Sequence, residues 1–567
     1  MAVPPPPGRP LPAHPAGGGL RSGRLRILVC CEWACSAALA AFLVWILFRN
    51  LIYAPELWRD EITTLHVAAQ PSLGELWSLV EWESLPLLWL LVVRGWIGLG
   101  FGADAESLRA LAFIVGLGVI ASLLFAAWRI ARTLPLLGLL LVAANPTVIR
   151  FGDTLRAYGL GLVLAILLVA AFWRLAQRVD RARIAAASLV SILAVQCLYH
   201  DAVVVLALCS ACAAAWAIRR QPRQAAVPLA IGAVTALTLL PYAGALLRAR
   251  EWNVVFRVPI DLAWLIQRIR ATVEVGGPWL SALWIGLAVS ALALCALRLV
   301  RPADSDEPPV DQRARAAFFA VALLLGTAAY AAFLVVVSYP TQPWYYLSFL
   351  GLAAVGIEGG LALELRDRIG VRALRLGIVV AGFALAAAGI WQQSNLRMTN
   401  VDLIARTLEE QARADDLILV APWYLGIAFD HYDSGATPWL SVPDVSDRSL
   451  TRYDLVKAQM LRPDAVRPIA DRVSQTLASG ARVWLVGSLP LLDGNPPPRA
   501  APVAPDSPLG WSESAYQQLW SREVAHRLQR DARRVREIPI ATPLAVSRYE
   551  SPPLFLFEAE PTPRGPD

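Results

Sequence analysis

Residues 157–174 read Ala157-Tyr-Gly-Leu-Gly-Leu-Val-Leu-Ala-Ile-Leu-Leu-Val-Ala-Ala-Phe-Trp-Arg174, and no charge interrupts the run before its last residue. At about 1.5 Å of rise per residue, a helix of this length covers most of a hydrocarbon core of roughly 30 Å. Lipid offers the backbone no hydrogen-bond partners, so a run of this kind must be helical. Comparable runs recur near 27–49, 107–128, 134–149, 184–199, 202–218, 225–247, 279–300, 316–338, 345–364 and 374–391. They predict a polytopic α-helical membrane protein with about eleven transmembrane helices.

The composition agrees. The chain has 567 residues, 57% hydrophobic and 17% charged, with a mean hydropathy of +0.51. A soluble domain carries about 25% charged residues. The deficit lies before residue 392. A net charge of +7 would suit nucleic acid, but the basic residues sit in short clusters between the apolar runs. Such clusters are Arg129 and Arg132, then Arg174 to Arg183, Arg219 to Arg223, Arg298 to Arg315 and Arg366 to Arg375. They are what orientation in a membrane requires. No nucleic-acid partner is expected. The bias places the N-terminus in the cytoplasm of a bacterial cell, in its inner membrane. An odd number of spans then places the C-terminal part in the periplasm. The seven cysteines all fall in apolar runs and make neither a disulfide framework nor a metal-ligand spacing.

Residues 1–26 read as a disordered cytoplasmic tail rich in Pro, Gly and Ala, and the first run as a retained span. Residues 27–391 form the membrane domain, with a first outer loop at 50–106. Within it, Leu85 to Phe101 is apolar but interrupted by Arg94, as in a helix lying on the membrane surface. Residues 392–567 alternate helical patterns (Val401–Ala414, Ala465–Ser479, Ser514–Val535) with strand patterns (Leu417–Ala421, Val483–Val486, Leu544–Tyr549, Leu554–Phe557). That alternation predicts an extracytoplasmic α/β domain, with Asp493–Pro508 as a proline-rich surface loop.

The first outer loop carries Leu57-Trp-Arg-Asp-Glu-Ile-Thr-Thr-Leu-His66. Adjacent carboxylates at Asp60 and Glu61 beside a membrane suit proton abstraction from a hydroxyl or binding of a divalent cation. A solvated acidic loop would have the same composition. Tyr199-His200-Asp201 sits at a tight turn between two spans, where ionisable groups are costly and often functional. The segment Pro340 to Tyr346 holds Trp344, Tyr345 and Tyr346, which suit an interfacial aromatic belt or stacking on a sugar ring. The segment from Arg248 to Arg270, with Trp252, Phe256 and Trp264, suits contact with anionic headgroups. His431 stands between Asp430 and Asp433.

The acidic pair resembles the motif of the membrane-embedded GT-C glycosyltransferases. The likeness is greatest to their family 39 group, which includes protein O-mannosyltransferases and lipid A aminoarabinose transferases. Ser84-Leu-Pro-Leu-Leu-Trp89 resembles the Pro-Pro-Leu-Tyr stretch that follows that pair, with one Pro and the Tyr missing. Ser107-Leu-Arg-Ala-Leu-Ala112 is similar to the entry of the second span. Asp153-Thr-Leu-Arg-Ala-Tyr-Gly-Leu160 is similar to a Glu-x-Arg-x-Tyr-x-Leu stretch. The resemblance implies a GT-C-like fold and sugar transfer from a polyprenyl-phosphate donor to an extracytoplasmic glycan, lipid or protein acceptor. It implies Asp60 as general base or metal ligand and Glu61 as the group that orients base or acceptor. Arg150, Asp153, Arg156, Tyr158, His200, Asp201, Tyr345 and Tyr346 would serve the donor phosphate and sugar; Arg59, His66 and Glu83 would serve the acceptor. No cofactor is required by the resemblance, which leaves room for a divalent metal at Asp60, and the tail domain would be a lid or acceptor platform. The rival readings are a transporter of polyprenyl-linked lipid and a noncatalytic envelope-assembly protein.

Overall fold

Eight helices among the described residues are long and apolar enough to cross a membrane. The structure is a computed structural model that describes residues 18–54, 56–83, 85–253, 260–273, 277–301, 308–338, 341–362, 368–490, 498–505 and 512–559. The tail through residue 17, Phe256, Pro340 and much of the proline-rich stretch after Asp493 lie outside the described residues. The membrane domain runs through α1 (Gly18–Tyr53), α2 (Arg59–Ala68), α3 (Leu73–Glu83), α4 (Leu87–Gly98), α5 (Ala105–Ala131), α6 (Leu136–Gly138), α7 (Pro146–Phe151), α8 (Ala157–Gln177) and α9 (Arg181–Cys197). It continues through α10 (Asp201–Ile218), α11 (Pro222–Leu237), α12 (Ala243–Asn253), α13 (Leu262–Val273), α14 (Trp279–Val300), α15 (Pro309–Val337), α16 (Leu347–Leu361) and α17 (Ile369–Ser394).

Three of the eleven expected spans fall short of that length: α9, α16 and the stretch 134–149. The last is not one helix. A π-helical turn, Leu139–Ala143, follows α6, and the chain restarts at Asn145, whose side chain caps the Thr147 N–H at 2.9 Å with Pro146 in the first helical position. Every residue from Pro135 to Ala157 is buried. Irregular backbone at membrane depth survives where protein rather than lipid surrounds it.

The central helix is α8. Its apolar window is 72% buried, against 22% for α1 and 17% for the span beginning at Pro222. It packs against α5, α9, α10 and α16. Small residues permit the close approaches: a Cβ on Gly359 would meet the Phe319 ring at 2.3 Å, and one on Gly159 would meet the Gly152 carbonyl at 2.1 Å. The helix expected at Leu85–Phe101 is α4. Arg94 inside it donates to the carbonyls of Ala68, Gln70 and Pro71 and so closes the C-terminal end of α2.

The C-terminal domain adds β1 (Leu396–Arg397), α18 (Val401–Gln411), β2 (Leu417–Ala421), α19 (Gly426–Tyr432), β3 (Trp439–Ser441), α20 (Tyr453–Met460), α21 (Arg467–Ala478), β4 (Val483–Gly487), α22 (Glu513–Asp531), β5 (Arg534–Ile538), β6 (Ala545–Val546) and β7 (Leu554–Glu558). Five strands form one sheet in the order β3-β2-β4-β7-β5, parallel across β3, β2 and β4, antiparallel at β7. Its two faces are covered differently. Ile418, Val420, Trp484, Val486, Leu554 and Leu556 share one apolar core with the membrane helices. Leu417, Leu419, Val483, Leu485 and Phe557 pack in a separate core with α20, α21 and α22. With both faces covered, β2 and β4 are continuous apolar runs. The helix expected to reach Val535 ends at Asp531, because Arg534–Ile538 leaves it to become the edge strand β5.

Gly487 ends β4 at φ +104, and a Cβ there would stand 1.7 Å from the Ala421 carbonyl oxygen. Gly487→Ala combines that clash with backbone strain and is expected to cost at least about 2 kcal/mol in the tail domain. Limited proteolysis of the purified protein should cut the tail domain faster than in the wild type. An unchanged cleavage rate would remove Gly487 from the fold's requirements.

Candidate active site

The two acids of the first loop have opposite environments. Glu61, the third residue of α2, is completely buried. Its carboxylate takes both terminal nitrogens of Arg109 at 2.6 Å, the Leu155 N–H at 2.7 Å and the Trp58 N–H at 3.2 Å. The last bond is the reciprocal half of a capping box. Arg109 also donates to the Glu56 carbonyl at 2.6 Å. The start of α2 is thereby tied to α5 and to the turn before α8. All four acceptor positions of Glu61 are taken. It therefore orients α2 rather than touching an acceptor. Asp60, one residue earlier, keeps 26% of its side chain exposed.

Arg156 lies beneath Asp60. One of its terminal nitrogens donates to the Asp60 carbonyl at 2.9 Å, to Thr64 Oγ1 at 2.7 Å and to the Glu83 carboxylate. Thr64 in turn donates to Glu83 at 2.6 Å. Arg156 thus has a buried acid as partner and does not snorkel to the interface. Burial pushes the Glu83 carboxyl up to about 7, with the Arg156 charge and the Thr64 hydroxyl acting in the other direction. From Arg156 a row of rings leads away. The guanidinium is 5.9 Å from the Tyr158 ring, Tyr158 is 5.6 Å from Tyr345, and Tyr345 is 6.4 Å from His200. Asp201 is fully buried next to His200 and faces Ser348.

The aromatic loop turns inward rather than forming a belt. Trp344 is 6% exposed and Tyr346 1%. Trp344 packs against Phe151, Tyr549 and Trp58 at 4.7, 5.1 and 5.6 Å. Tyr346 faces Thr341, hydroxyl to hydroxyl at 2.7 Å, and the Tyr330 ring. It does not join the row that leads from Asp60.

The tail domain closes over the same loop. The Tyr432 hydroxyl accepts the Leu57 N–H and donates to the Leu57 carbonyl, both at 2.8 Å. Glu56 accepts the Met398 N–H at 3.0 Å. Glu550 accepts the Arg59 N–H at 3.3 Å; burial pushes its carboxyl up to about 7, against the pull of Arg59. The Arg59 side chain reaches Asp60 at 3.3 Å and lies 4.4 Å over Tyr424. His66 holds the Ser449 carbonyl at 2.9 Å with the His431 ring 5.9 Å away. It is a contact to the tail domain.

Asp60, Glu83, Arg156, Tyr158 and Tyr345 are therefore brought together, with Arg59 at the rim and His200 at the far end of the row of rings. Arg150 and Asp153 are not. They line a cleft shared with Arg109, Asn50 and Met398, and Asp60 is not among its lining residues. No group of three His, Cys, Asp or Glu converges among the described residues. A cation at Asp60 would take most of its ligands from water or substrate oxygens. The residues that sequence reasoning left without a role are Arg109, Glu56, Tyr432 and Glu550. Arg109 had a signal, an arginine one turn inside an apolar run, which is costly unless paired. Tyr432 and Glu550 had none, being 375 and 491 residues from their partners.

Removing one partner of a buried ion pair leaves an uncompensated charge and costs about 3–5 kcal/mol. Glu61→Gln should therefore lower the thermal unfolding temperature of the detergent-solubilised protein by several degrees, while Asp60→Asn should leave it near the wild type. Equal unfolding temperatures for the two variants would contradict the anchoring role of Glu61.

No family model matches the chain, and no curated protein matches it. Among solved structures it is similar to the crystal structure of ArnT from Cupriavidus metallidurans in the apo state. The identity is 14%, over 82% of this chain and 93% of that chain, with a TM-score of 0.45.

Proposed function

We propose that the protein is a GT-C-type membrane glycosyltransferase that moves a sugar from a polyprenyl-phosphate donor to an extracytoplasmic acceptor hydroxyl. The observation that carries this reading is the contrast within the acidic pair. Glu61 is consumed in fixing the helix, and Asp60, held at its first turn, keeps a carboxylate open beside buried Arg156 and Tyr158 and half-buried Tyr345. The motif resemblance of the first loop supports the same assignment. The N-terminus is cytoplasmic in this reading, and the tail domain lies outside the membrane, over the reacting groups.

In the transfer step Asp60 takes the proton of the acceptor hydroxyl. The acceptor oxygen attacks the anomeric carbon and the bond to the lipid phosphate breaks, with inversion. Charge develops on the departing phosphate, and preorganised cationic donors stabilise it best in a site shielded from water. Arg156 supplies that charge; its Nε is buried without a protein partner. His200, at the far end of the ring row, faces the donor's sugar-phosphate. Tyr158 and Tyr345 offer ring faces and hydroxyls to the sugar. Arg59 stands on the acceptor side of Asp60, and Glu83, paired with Arg156, holds that guanidinium in place.

A positioned base contributes about 10²- to 10⁴-fold. Lipid extracts of cells lacking the protein should accumulate one polyprenyl-phosphate sugar, detected by mass spectrometry. Wild-type protein should clear it. Asp60→Asn at equal membrane level should clear it at least about a hundredfold more slowly. Clearance within twofold of the wild type would remove Asp60 from the chemistry. No accumulation in the deletion strain would overturn the transferase reading itself.

A further inference from the structure

Arg59 opens α2, an end of the helix where the dipole disfavours a cation. The tail domain keeps it there. Glu550, in the turn between β6 and β7, brings a completely buried side chain to it. One Glu550 oxygen accepts the Arg59 N–H at 3.3 Å and lies 4.0 Å from the Arg59 Nε. The guanidinium rests 4.4 Å over the ring of Tyr424, in the turn between β2 and α19.

The same Nε donates to Asp60 Oδ1 at 3.3 Å. One N–H group thus stands between two carboxylates. An arginine that has a carboxylate to itself closes on it at about 2.7–2.9 Å, commonly as a two-bonded fork. The protein contains that closed arrangement between neighbours of the same kind. In Arg530-Asp531 the Nε donates to Asp531 Oδ1 at 2.5 Å and a terminal nitrogen to Oδ2 at 3.0 Å. Among the described residues the Arg530 guanidinium meets no second acid. At Arg59-Asp60 a second acid is present, and the fork is open. Two negative charges face one positive charge there, so the arginine does not cancel Asp60. It touches one oxygen, and the 26% of the Asp60 side chain that is exposed leaves room for an acceptor hydroxyl at the other.

We propose that Glu550 is a positioning residue of the transfer: with Tyr424 it holds the Arg59 guanidinium at the edge of Asp60 and so keeps the base open to the acceptor. Without the Glu550 charge, Arg59 closes on both oxygens of Asp60, as Arg530 does on Asp531, and covers the base. Two groups that set the state of the base therefore come from the tail domain, more than 360 residues along the chain from α2. The inference rests on the transferase reading.

The test follows clearance of the accumulated polyprenyl-phosphate sugar in the deletion strain, with each variant at equal membrane level. Glu550→Gln should slow clearance by roughly tenfold to a hundredfold, the scale of a misplaced reacting group. Glu550→Asp keeps the charge and should clear faster than Glu550→Gln. The deciding comparison is made in an Asp60→Asn background. There Glu550→Gln should change the residual rate by less than about twofold, because the base it protects is gone. An equal loss in both backgrounds marks a merely structural role and overturns the proposal. Clearance by Glu550→Gln at the wild-type rate also overturns it. Should Glu550→Gln not reach the membrane, Tyr424→Leu loosens the same guanidinium without removing a charge. It should slow clearance with Asp60 present and not with Asn at that position; no slowing overturns the proposal. The two readings fail differently. If Asp60→Asn slows clearance and the Glu550 and Tyr424 variants do not, only this inference falls. If the deletion strain accumulates no such sugar, the transferase reading falls and takes this inference with it.

Discussion

The ion pair between Glu61 and Arg109 decides where the chemistry can sit. Burying two charges is unfavourable, and attraction repays it only when geometry is good and the remaining lone pairs are satisfied. Here both terminal nitrogens of the guanidinium meet the carboxylate, and two backbone N–H groups, from Trp58 and Leu155, complete it. One side chain thus joins three separate pieces of chain: the start of α2, the first turns of α5 and the turn into α8. Asp60 is the neighbour of Glu61 on α2, and Arg156 is the neighbour of Leu155. Fixing the buried pair therefore fixes Asp60 over Arg156, which donates to its carbonyl.

The tail domain is bound into the same arrangement. One face of its sheet completes the core of the membrane helices, so the domain is not an appendage on a linker. Its polar contacts fall within four residues of the first loop: Glu56 with Met398, Leu57 with Tyr432, Arg59 with Glu550. The loop is gripped from below by Arg109 and Arg156 and from above by these residues. Asp60 lies on the seam between these two sets of contacts.

Much of this was legible in the amino-acid sequence, and the parts that were not have physical reasons. Long apolar runs identify spans because lipid imposes one solution on the backbone. The segment 134–149 passed for a span because composition does not reveal burial by protein, which is what allowed it to break. The strands β2 and β4 were readable as continuous apolar runs. The edge strand β5, Arg534-Val-Arg-Glu-Ile538, has a largely exposed burial pattern and merged with the polar helix before it. The acidic pair stood out, but its division of labour did not, since that depends on Arg109, 48 residues away. Arg150 and Arg156 looked equivalent at the end of a span. The turn between α7 and α8 sends Arg156 under α2 and leaves Arg150 in the cleft with Asn50 and Asp153.

That turn exists because the broken segment is held at both ends. At one end, Glu358 accepts the Gly138 N–H at 2.9 Å and pairs with Arg375 at 2.8 Å, while Arg375 also donates to the Leu134 carbonyl. The orphan donors and acceptors of a short helix are thus answered by charged side chains from α16 and α17. At the other end, Thr147 donates to the Thr272 carbonyl at 2.6 Å, and Arg150 to Leu396. Between these staples the π-helical turn and the Asn145–Pro146 restart displace the chain from the path a straight helix would take. Gly159, packed on the Gly152 carbonyl, then lets α8 begin close enough for Arg156 to reach under α2. The irregular backbone is therefore not a flaw tolerated near the site. It is the feature that places one arginine beneath Asp60 and leaves the other in the cleft with Asn50 and Asp153.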